Sequence, residues 1–225
     1  KRSSGSKKPP AKIIYALKSK GRTTMMQTAH NDAKTNLIKL RELTGAGMTD
    51  CRNALQEAGG DLKKAQDVIR RKGLDIAKKK SSREAKEGQI ISYIHTGGKL
   101  GVLVEINCES DFVARNEIFQ TFARNIAMQI AAAHPLYVGS DNMPAEEIQR
   151  EKDNLPEDVK KKPAEMQEKI LQGKLAKRFE EICLLNQKYI KDDTITVQTY
   201  LNDTIAKLGE NMVIRRFVRF EVGGQ

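Results

Sequence analysis

Apolar residues at three- and four-residue spacing predict three short helices within residues 35–75. Glycines mark the expected helix ends, at Gly45 and Gly47, at Gly59 and Gly60, and at Gly73. Thr49 or Asp50 is the expected N-cap of the second helix, and Asp61 that of the third. The pattern therefore predicts a three-helix unit of about 40 residues, close to the smallest size that folds alone.

A different pattern begins near residue 88. Two runs rich in Val, Ile and Leu, 89–94 and 100–106, flank Gly97-Gly98, which predicts a β-hairpin. Apolar residues partly alternate along the second run, so we expect at least one buried face. Four further segments complete the chain: a helix over 111–133 ended by Pro135, a helix over 171–185, a helix ending at Gly209, and a strand over 212–222. Residues 139–175, rich in proline and charge, are expected to form an exposed excursion that contains short helices. An all-helical domain followed by an α+β domain with a mainly antiparallel sheet is the predicted architecture.

Composition narrows the function classes. The chain has 225 residues, a net charge of +11, 39% hydrophobic and 31% charged residues, 5% aromatics and no Trp. No apolar run is long enough to span a bilayer, so we expect no membrane segment. The scarcity of aromatics argues against a platform that stacks single-stranded nucleic acid.

Most of the net positive charge lies in residues 1–31, which carry eight basic residues and no acid. This segment is either the remnant of an organelle transit peptide or a disordered basic tail, and the residues leave both open. If the segment is a transit remnant, the protein belongs in a plastid or mitochondrion. If it is an ordinary tail, the expected location is the bacterial cytoplasm. The charge also makes one function class possible, a basic RNA- or ribosome-associated binding protein. Its binding to RNA would fall steeply with salt concentration and would require residues 1–31.

Chemistry-bearing residues are dispersed. The cysteines, Cys51, Cys108 and Cys183, are odd in number and form no Cys-x-x-Cys pair, so we interpret them as buried apolar residues in a reducing compartment. Gly98-Lys99 fails the P-loop pattern, and no His, Ser or carboxylate spacing specifies a nucleophile with its base. We therefore expect no metal, no cofactor and no enzymatic activity.

One block stands out, Glu105 to Asn116, where a buried strand is expected to end in a polar turn. Ser110 or Asp111 is positioned to cap a new helix, with Phe112 in its first turn. An aromatic there is either a core residue or an exposed wedge, and the residue pattern favours the core.

At this block the chain resembles elongation factor Ts, the guanine-nucleotide exchange factor of elongation factor Tu. The resemblance covers residues 36 to about 224. It is carried by four stretches: 40–51 (LRELTGAGMTDC), 60–62 (GDL), 104–115 (VEINCESDFVAR), and 208–217 with its LGENM and RRF motifs.

The patterns and the resemblance together predict a domain plan and a fold. Residues 1–34, almost all outside the resemblance, are expected to form a basic, disordered extension. A three-helix (UBA-like) domain is expected over 35–75, a basic helical linker over 76–87 and an α+β core over 88–225. The single core unit looks like the short form of the family, which works as a homodimer through that core.

The resemblance also implies the site. Asp111 and Phe112 would intrude between helices of the GTPase and disturb its magnesium region, with Val113 and Ala114 as the supporting turn. The three-helix domain would dock through Arg41, Met48 and Thr49, and His95 matches a position beside the core hairpin. Elongation factor Tu, GDP-bound and nucleotide-free, is then the expected partner, with a ribosome or RNA contact through the basic tail and no membrane.

Overall fold

The fold is described from a computed structural model, which describes residues 34–161 and 163–224. The chain divides into two units at Arg71/Lys72, a position inside the third helix. The helices are α1 (34–44), α2 (Met48–Glu57), α3 (Leu62–Lys80), α4 (Asp111–Ala114), α5 (Glu117–Ala133), α6 (Ala145–Asp153), α7 (Glu157–Lys160), α8 (Ala164–Ile182) and α9 (Val197–Leu208). The strands are β1 (Glu87–Ile94), β2 (Leu100–Cys108), β3 (Lys188–Tyr189), β4 (Asp192–Thr196) and β5 (Met212–Glu221).

The first unit contains α1, α2 and the start of α3. Its small core is formed by Leu40, Cys51, Ala54, Leu55, Ala65 and Val68. Asp61 caps α3 as predicted, since its carboxylate accepts the N–H of Lys64 at 2.9 Å. The predicted cap of α2 is wrong, because α2 begins at Met48 with Gly47 at the N-cap, so Thr49 and Asp50 lie inside its first turn.

The predicted end of the third helix at Gly73 is also wrong. Within the second unit, α3 continues to Lys80 and buries Ala77 in the main core. Helix α3 lies close to α9 at Gly73, because a Cβ placed there would be 3.6 Å from Ala206 and from Asp203. Glycine weakens a helix by about 1 kcal/mol relative to alanine, and the packing of this segment outweighs that preference.

A three-stranded antiparallel sheet of order β1-β2-β5 organises the second unit. The predicted hairpin is confirmed, with β1 and β2 paired from Glu87↔Cys108 to Ile94↔Gly101. Val102, Val104 and Ile106 point from β2 into the core, where α5 lies across the sheet. The predicted C-terminal strand forms β5, and the preceding helix α9 ends at Gly209 with φ 76°, as expected.

The opposite face of this sheet is apolar and exposed. Side chains of Ile94 and Phe220 flank Gly101 across the three strands, and Leu103 lies beside Val218 in the next row. We call Ile90, Ile94, Leu103, Val218 and Phe220 the open sheet face; each is among the exposed large hydrophobic residues. The Glu105–Arg216 ion pair, 2.6 Å, continues this face with polar side chains.

The single helix predicted over 111–133 is wrong, because the chain forms α4 and then α5. Asn116 separates them by capping α5, with its side-chain oxygen accepting the N–H of Ile118 at 2.8 Å. Asparagine favours such local bonds over helix interiors. The predicted termination at Pro135 is confirmed, since α5 ends at Ala133 and His134 takes a positive φ of 47°.

Residues 139–175 contain helices, as predicted. Pro144, Pro156 and Pro163 each occupy the N-cap of a helix, where a missing N–H costs little. The last of these helices begins at Ala164 and ends at Ile182, so the predicted range 171–185 is wrong at both ends. The region is joined to a small separate cluster of Met143, Ile182 and Cys183.

Candidate partner-binding site

The turn that follows β2 presents one large apolar side chain to solvent. Ser110 is the N-cap of α4, and its Oγ accepts the N–H of Val113 at 3.3 Å. Val113 and Ala114 are buried in the core, whereas Phe112 is 78% exposed. Successive helical residues project about 100° apart, so a short helix that buries residues 113 and 114 turns residue 112 outward. The core position favoured for Phe112 by the residue pattern is therefore wrong.

Two glutamates hold this turn against the corner between α9 and β5. The carboxylate of Glu210 accepts the Ser110 N–H at 3.0 Å and the Ser110 hydroxyl at 2.7 Å. In the reverse direction, Glu109 accepts the N–H of Asn211 at 2.6 Å. We call Glu109, Ser110, Glu210 and Asn211 the corner clasp; it joins two chain reversals about 100 residues apart.

A second layer of contacts supports the corner clasp from the end of α3. The Asn211 side chain donates to the carbonyl of Arg83 at 2.7 Å, and the Arg83 guanidinium lies 3.4 Å from the Glu109 carboxylate. The Lys80 ammonium donates to the carbonyl of Gly209.

The electrostatics of the clasp follow from these bonds. The N–H of Asn211, and to a smaller degree the Arg83 guanidinium, hold the pKa of the Glu109 carboxyl below its usual 4.5. A depressed pKa means that the contact stabilises the fold above the unfolded-state pKa and loses that effect as the pH falls through the folded value. Glu109 is thus ionised at neutral pH.

The surface around Phe112 also carries charge. Asp111, in the first turn of α4, pairs with Arg115 at 2.8 Å, and both side chains are exposed. A pair this exposed adds little to stability, typically about 0–1 kcal/mol. Its consequence is a surface on which an aromatic ring lies beside one carboxylate and one guanidinium.

The remaining predicted site residues lie elsewhere. His95 follows β1 at the opposite end of the hairpin from Cys108, and its Nδ1 is 3.0 Å from the Tyr93 hydroxyl. Glu87, at the start of β1, pairs with Cys108, which lies just before the turn that carries Phe112. At roughly 3.3 Å per residue along β1, His95 is therefore about 25 Å from that turn. His95 and Phe112 are therefore not brought together.

Arg41, Met48 and Thr49 are exposed on the first unit, around the turn between α1 and α2. Met48 borders a groove of about 740 Å³ that is also lined by Leu37, Ile38 and Leu55. Arg41, Met48 and Thr49 therefore form one exposed surface within the first unit.

Sequence reasoning missed the residues that orient the turn. Glu109 and Glu210 both lie in stretches that carry the resemblance. No local pattern shows that Glu109 bonds to Asn211 or that Glu210 bonds to Ser110. The two partners in each bond are about 100 residues apart, so a short sequence motif cannot reveal them.

Burial raises the pKa of the Cys108 thiol to about 11, and the nearby Glu210 acts in the same direction, so the thiol is protonated at neutral pH. All three cysteines are free and buried. Residues 34–161 and 163–224 contain no group of three or more His, Cys, Asp or Glu able to hold a metal ion, and no helix among them could cross a membrane.

Comparison with known proteins gives a consistent result. The family model described as Elongation factor TS matches residues 23–224. Elongation factor Ts of Geobacter sp. (strain M21) is 58% identical over 187 residues, which are 82% of this chain and 87% of that protein. Elongation factor Ts of Thermotoga petrophila is 51% identical over 185 residues, 82% of this chain and 93% of that protein. Elongation factor Ts of Anaeromyxobacter sp. (strain Fw109-5) is 53% identical over 195 residues, 85% of this chain and 89% of that protein.

Proposed function

The chain belongs to the elongation factor Ts family, whose members are nucleotide exchange factors for elongation factor Tu in translation elongation, and we propose that it releases GDP from elongation factor Tu by inserting the Asp111–Phe112 turn. The inserted turn would disturb the region of the GTPase that holds the magnesium ion and the phosphates of GDP. Exchange requires no covalent step by the factor.

The observation that carries this proposal is the exposure of Phe112 on a restrained support. The ring is 78% exposed, while the next two residues are buried and Ser110, two residues before the ring, is bonded to Glu210. A phenylalanine held in water gains about 1.5–3 kcal/mol when a partner buries it. The turn is thus suited to enter a partner with little rearrangement of its own.

Binding linkage explains how insertion releases GDP. If the factor prefers the nucleotide-free GTPase, then GDP and the factor weaken each other's binding by the same ratio. Each 1.4 kcal/mol of this coupling lowers the affinity for GDP about tenfold. Burial of the Phe112 ring offsets part of the cost of separating packed helices in the GTPase.

We propose that the first unit makes a second contact with the GTPase. Arg41, Met48 and Thr49 are exposed around one turn, and Met48 borders the apolar groove of that unit. A flexible thioether beside an apolar groove suits contact with a partner helix. His95, at the far end of the hairpin, is proposed as a third and separate contact.

The direct test is release of labelled GDP from purified elongation factor Tu, with and without the full chain. We expect a small, substoichiometric amount of the protein to accelerate release by at least about tenfold, because a factor that GTP later displaces turns over. A release rate that stays at its intrinsic value, in the presence of demonstrated binding, would overturn the exchange function.

The open sheet face supports a proposed homodimer through the core. Antiparallel sheets usually expose a polar face, so a contiguous apolar face on the outside indicates a binding surface. A two-fold axis through this face would bring Leu103 and Phe220 of both protomers together, with the Glu105–Arg216 pairs at the rim.

Leu103→Asp is expected to weaken this dimer at least about 100-fold, because two carboxylates would be buried near each other at the interface. Sedimentation equilibrium should then give the mass of one 25.2 kDa chain. Leu136→Asp is the matched control, since Leu136 is exposed and lies outside the open sheet face. Equal dissociation constants for both variants would show that the dimer forms elsewhere, or not at all.

Two predictions depend on residues 1–31, which lie outside the described residues: a contact with the ribosome or RNA, and the cellular compartment. A ribosome or RNA contact through this basic segment is proposed from its charge. The relatives compared above are bacterial, which favours the bacterial cytoplasm over an organelle.

A further inference from the structure

The Glu210 carboxylate commits both of its oxygens to a single residue. One oxygen accepts the Ser110 N–H at 3.0 Å and the other accepts the Ser110 hydroxyl at 2.7 Å. Hydrogen bonds to a carboxylate are roughly twice as strong as neutral ones, and a paired arrangement also sets orientation. Ser110 is therefore held at its backbone and its side chain together.

The hydroxyl of Ser110 connects this carboxylate to α4. Its only proton points to Glu210, so the lone pairs of Oγ remain for the N–H of Val113, 3.3 Å away. Glu210 thus orients the N-cap, and the N-cap begins the helix that carries Phe112.

Helix α4 depends on that cap because it has only four residues. Its backbone bonds from Ala114 to Ser110 and from Arg115 to Asp111 are long, at 3.3 and 3.2 Å. A helix this short does not repay its own nucleation, so its geometry comes from the residues that hold its ends. Loss of the cap would leave the direction of Phe112 less defined.

Glu210 is itself held in position. It follows Gly209, whose φ of 76° ends α9, and precedes Asn211, which is buried. Asn211 donates its N–H to Glu109 at 2.6 Å and its side-chain amide to the Arg83 carbonyl at 2.7 Å. These bonds fix the backbone on both sides of Glu210, so its carboxylate is held in one position beside Ser110.

We propose that Glu210 is a positioning residue for exchange: it holds the N-cap Ser110 and so fixes the direction in which Phe112 projects toward the GTPase. This inference rests on the proposed role of Phe112. Glu210 acts through Ser110 and need not touch the partner. A turn already ordered before contact avoids the entropy cost of ordering it during insertion.

The experiment measures labelled GDP release from elongation factor Tu over a range of factor concentrations, using the full chain. Glu210→Ala removes both hydrogen bonds to Ser110 and is expected to lower the maximal release rate by at least about tenfold, because even one hydrogen bond to a charged group is worth about 1.5–3 kcal/mol. Glu210→Gln should recover the rate to within about threefold, because its amide oxygen can accept the Ser110 N–H and its NH₂ can donate to Oγ. A purely electrostatic role would leave Gln as slow as Ala, which would overturn the inference.

Glu181→Ala is the matched control. Glu181 pairs with Arg178 on the surface of α8, so its loss removes a carboxylate far in sequence from the corner clasp. Its release rate should equal that of the unchanged protein. If Glu210→Ala does not fold, Ser110→Ala carries the test, since it removes the hydroxyl link and keeps the backbone bond to Glu210. A Ser110→Ala rate equal to that of the unchanged protein would contradict the inference.

A double-mutant cycle separates positioning from other roles. If Glu210 acts through Phe112, then adding Glu210→Ala to Phe112→Ala should change the release rate by less than about twofold. A further tenfold loss in that background would show that Glu210 acts by another route. If Phe112→Ala alone releases GDP at the normal rate, the proposed role of Phe112 fails; if it is slow while Glu210→Ala is normal, only the positioning inference fails.

Discussion

Phe112→Ala is expected to slow factor-stimulated GDP release from elongation factor Tu by about 10- to 100-fold. The ring is 78% exposed in the free protein, so its burial is gained only with the partner. Losing about 1.5–3 kcal/mol of that burial corresponds to one to two powers of ten in rate. The free energy of unfolding should change by no more than about 0.5 kcal/mol, because little buried surface is removed. Stopped-flow release of a fluorescent GDP and thermal unfolding measure the two quantities.

Leu136→Ala is the control for this substitution. Leu136 is 53% exposed, so its truncation also removes an exposed apolar side chain, but at a distance in sequence from α4. We expect its release rate to match that of the unchanged protein. Normal release with Phe112→Ala, at normal affinity for the GTPase, would rule out the wedge.

Gly88→Ala is expected to lower the free energy of unfolding by about 2–6 kcal/mol. Gly88 has a φ of 143°, and a Cβ there would lie 2.2 Å from the carbonyl oxygen of Ile106 and 2.7 Å from the Cα of Asn107. An alanine in this backbone region costs about 1–3 kcal/mol. Forcing β1 and β2 apart adds about 1–3 kcal/mol. Urea unfolding followed by circular dichroism measures the change.

Gly97→Ala isolates the backbone contribution to this effect. Gly97 has a φ of 93° in the hairpin turn, and nothing lies within 4 Å of a Cβ placed there. Its loss of stability should stay near the 1–2 kcal/mol of an unfavourable φ. If Gly88→Ala and Gly97→Ala shift the urea midpoint equally, the close approach of β1 to β2 is not what requires glycine at position 88.

Several elements could be predicted because their signals are local. The hairpin follows from Gly97-Gly98 and the alternation along β2, and the paired registers agree with that pattern. The end of α9 at Gly209 and the end of α5 before Pro135 each depend on a backbone preference of one residue. The residues of the candidate site came from motif resemblance, which needs no knowledge of contacts.

Other features could not be predicted because distant residues decide them. The short hairpin of β3 and β4 was missed, and the buried side chain of Gln129 bonds to it by donating to the carbonyl of Lys188 at 3.1 Å and accepting the N–H of Ile190 at 2.8 Å. The continuation of α3 past Gly73 depends on the core that receives Ala77. Local propensity is worth about 1 kcal/mol or less per residue, so such contacts readily outweigh it.

By itself, the sequence determined the class of fold, the main hairpin, the family and the Asp111–Phe112 turn as the candidate site. The tertiary structure decided that Phe112 faces solvent, because burial of Val113 and Ala114 leaves its side chain no place in the core. It also decided what holds the turn, since Glu210 meets Ser110 only after the chain has folded. Periodicity and motifs record the preferences of neighbouring residues, whereas the direction of one exposed ring depends on residues that only the complete fold brings into contact.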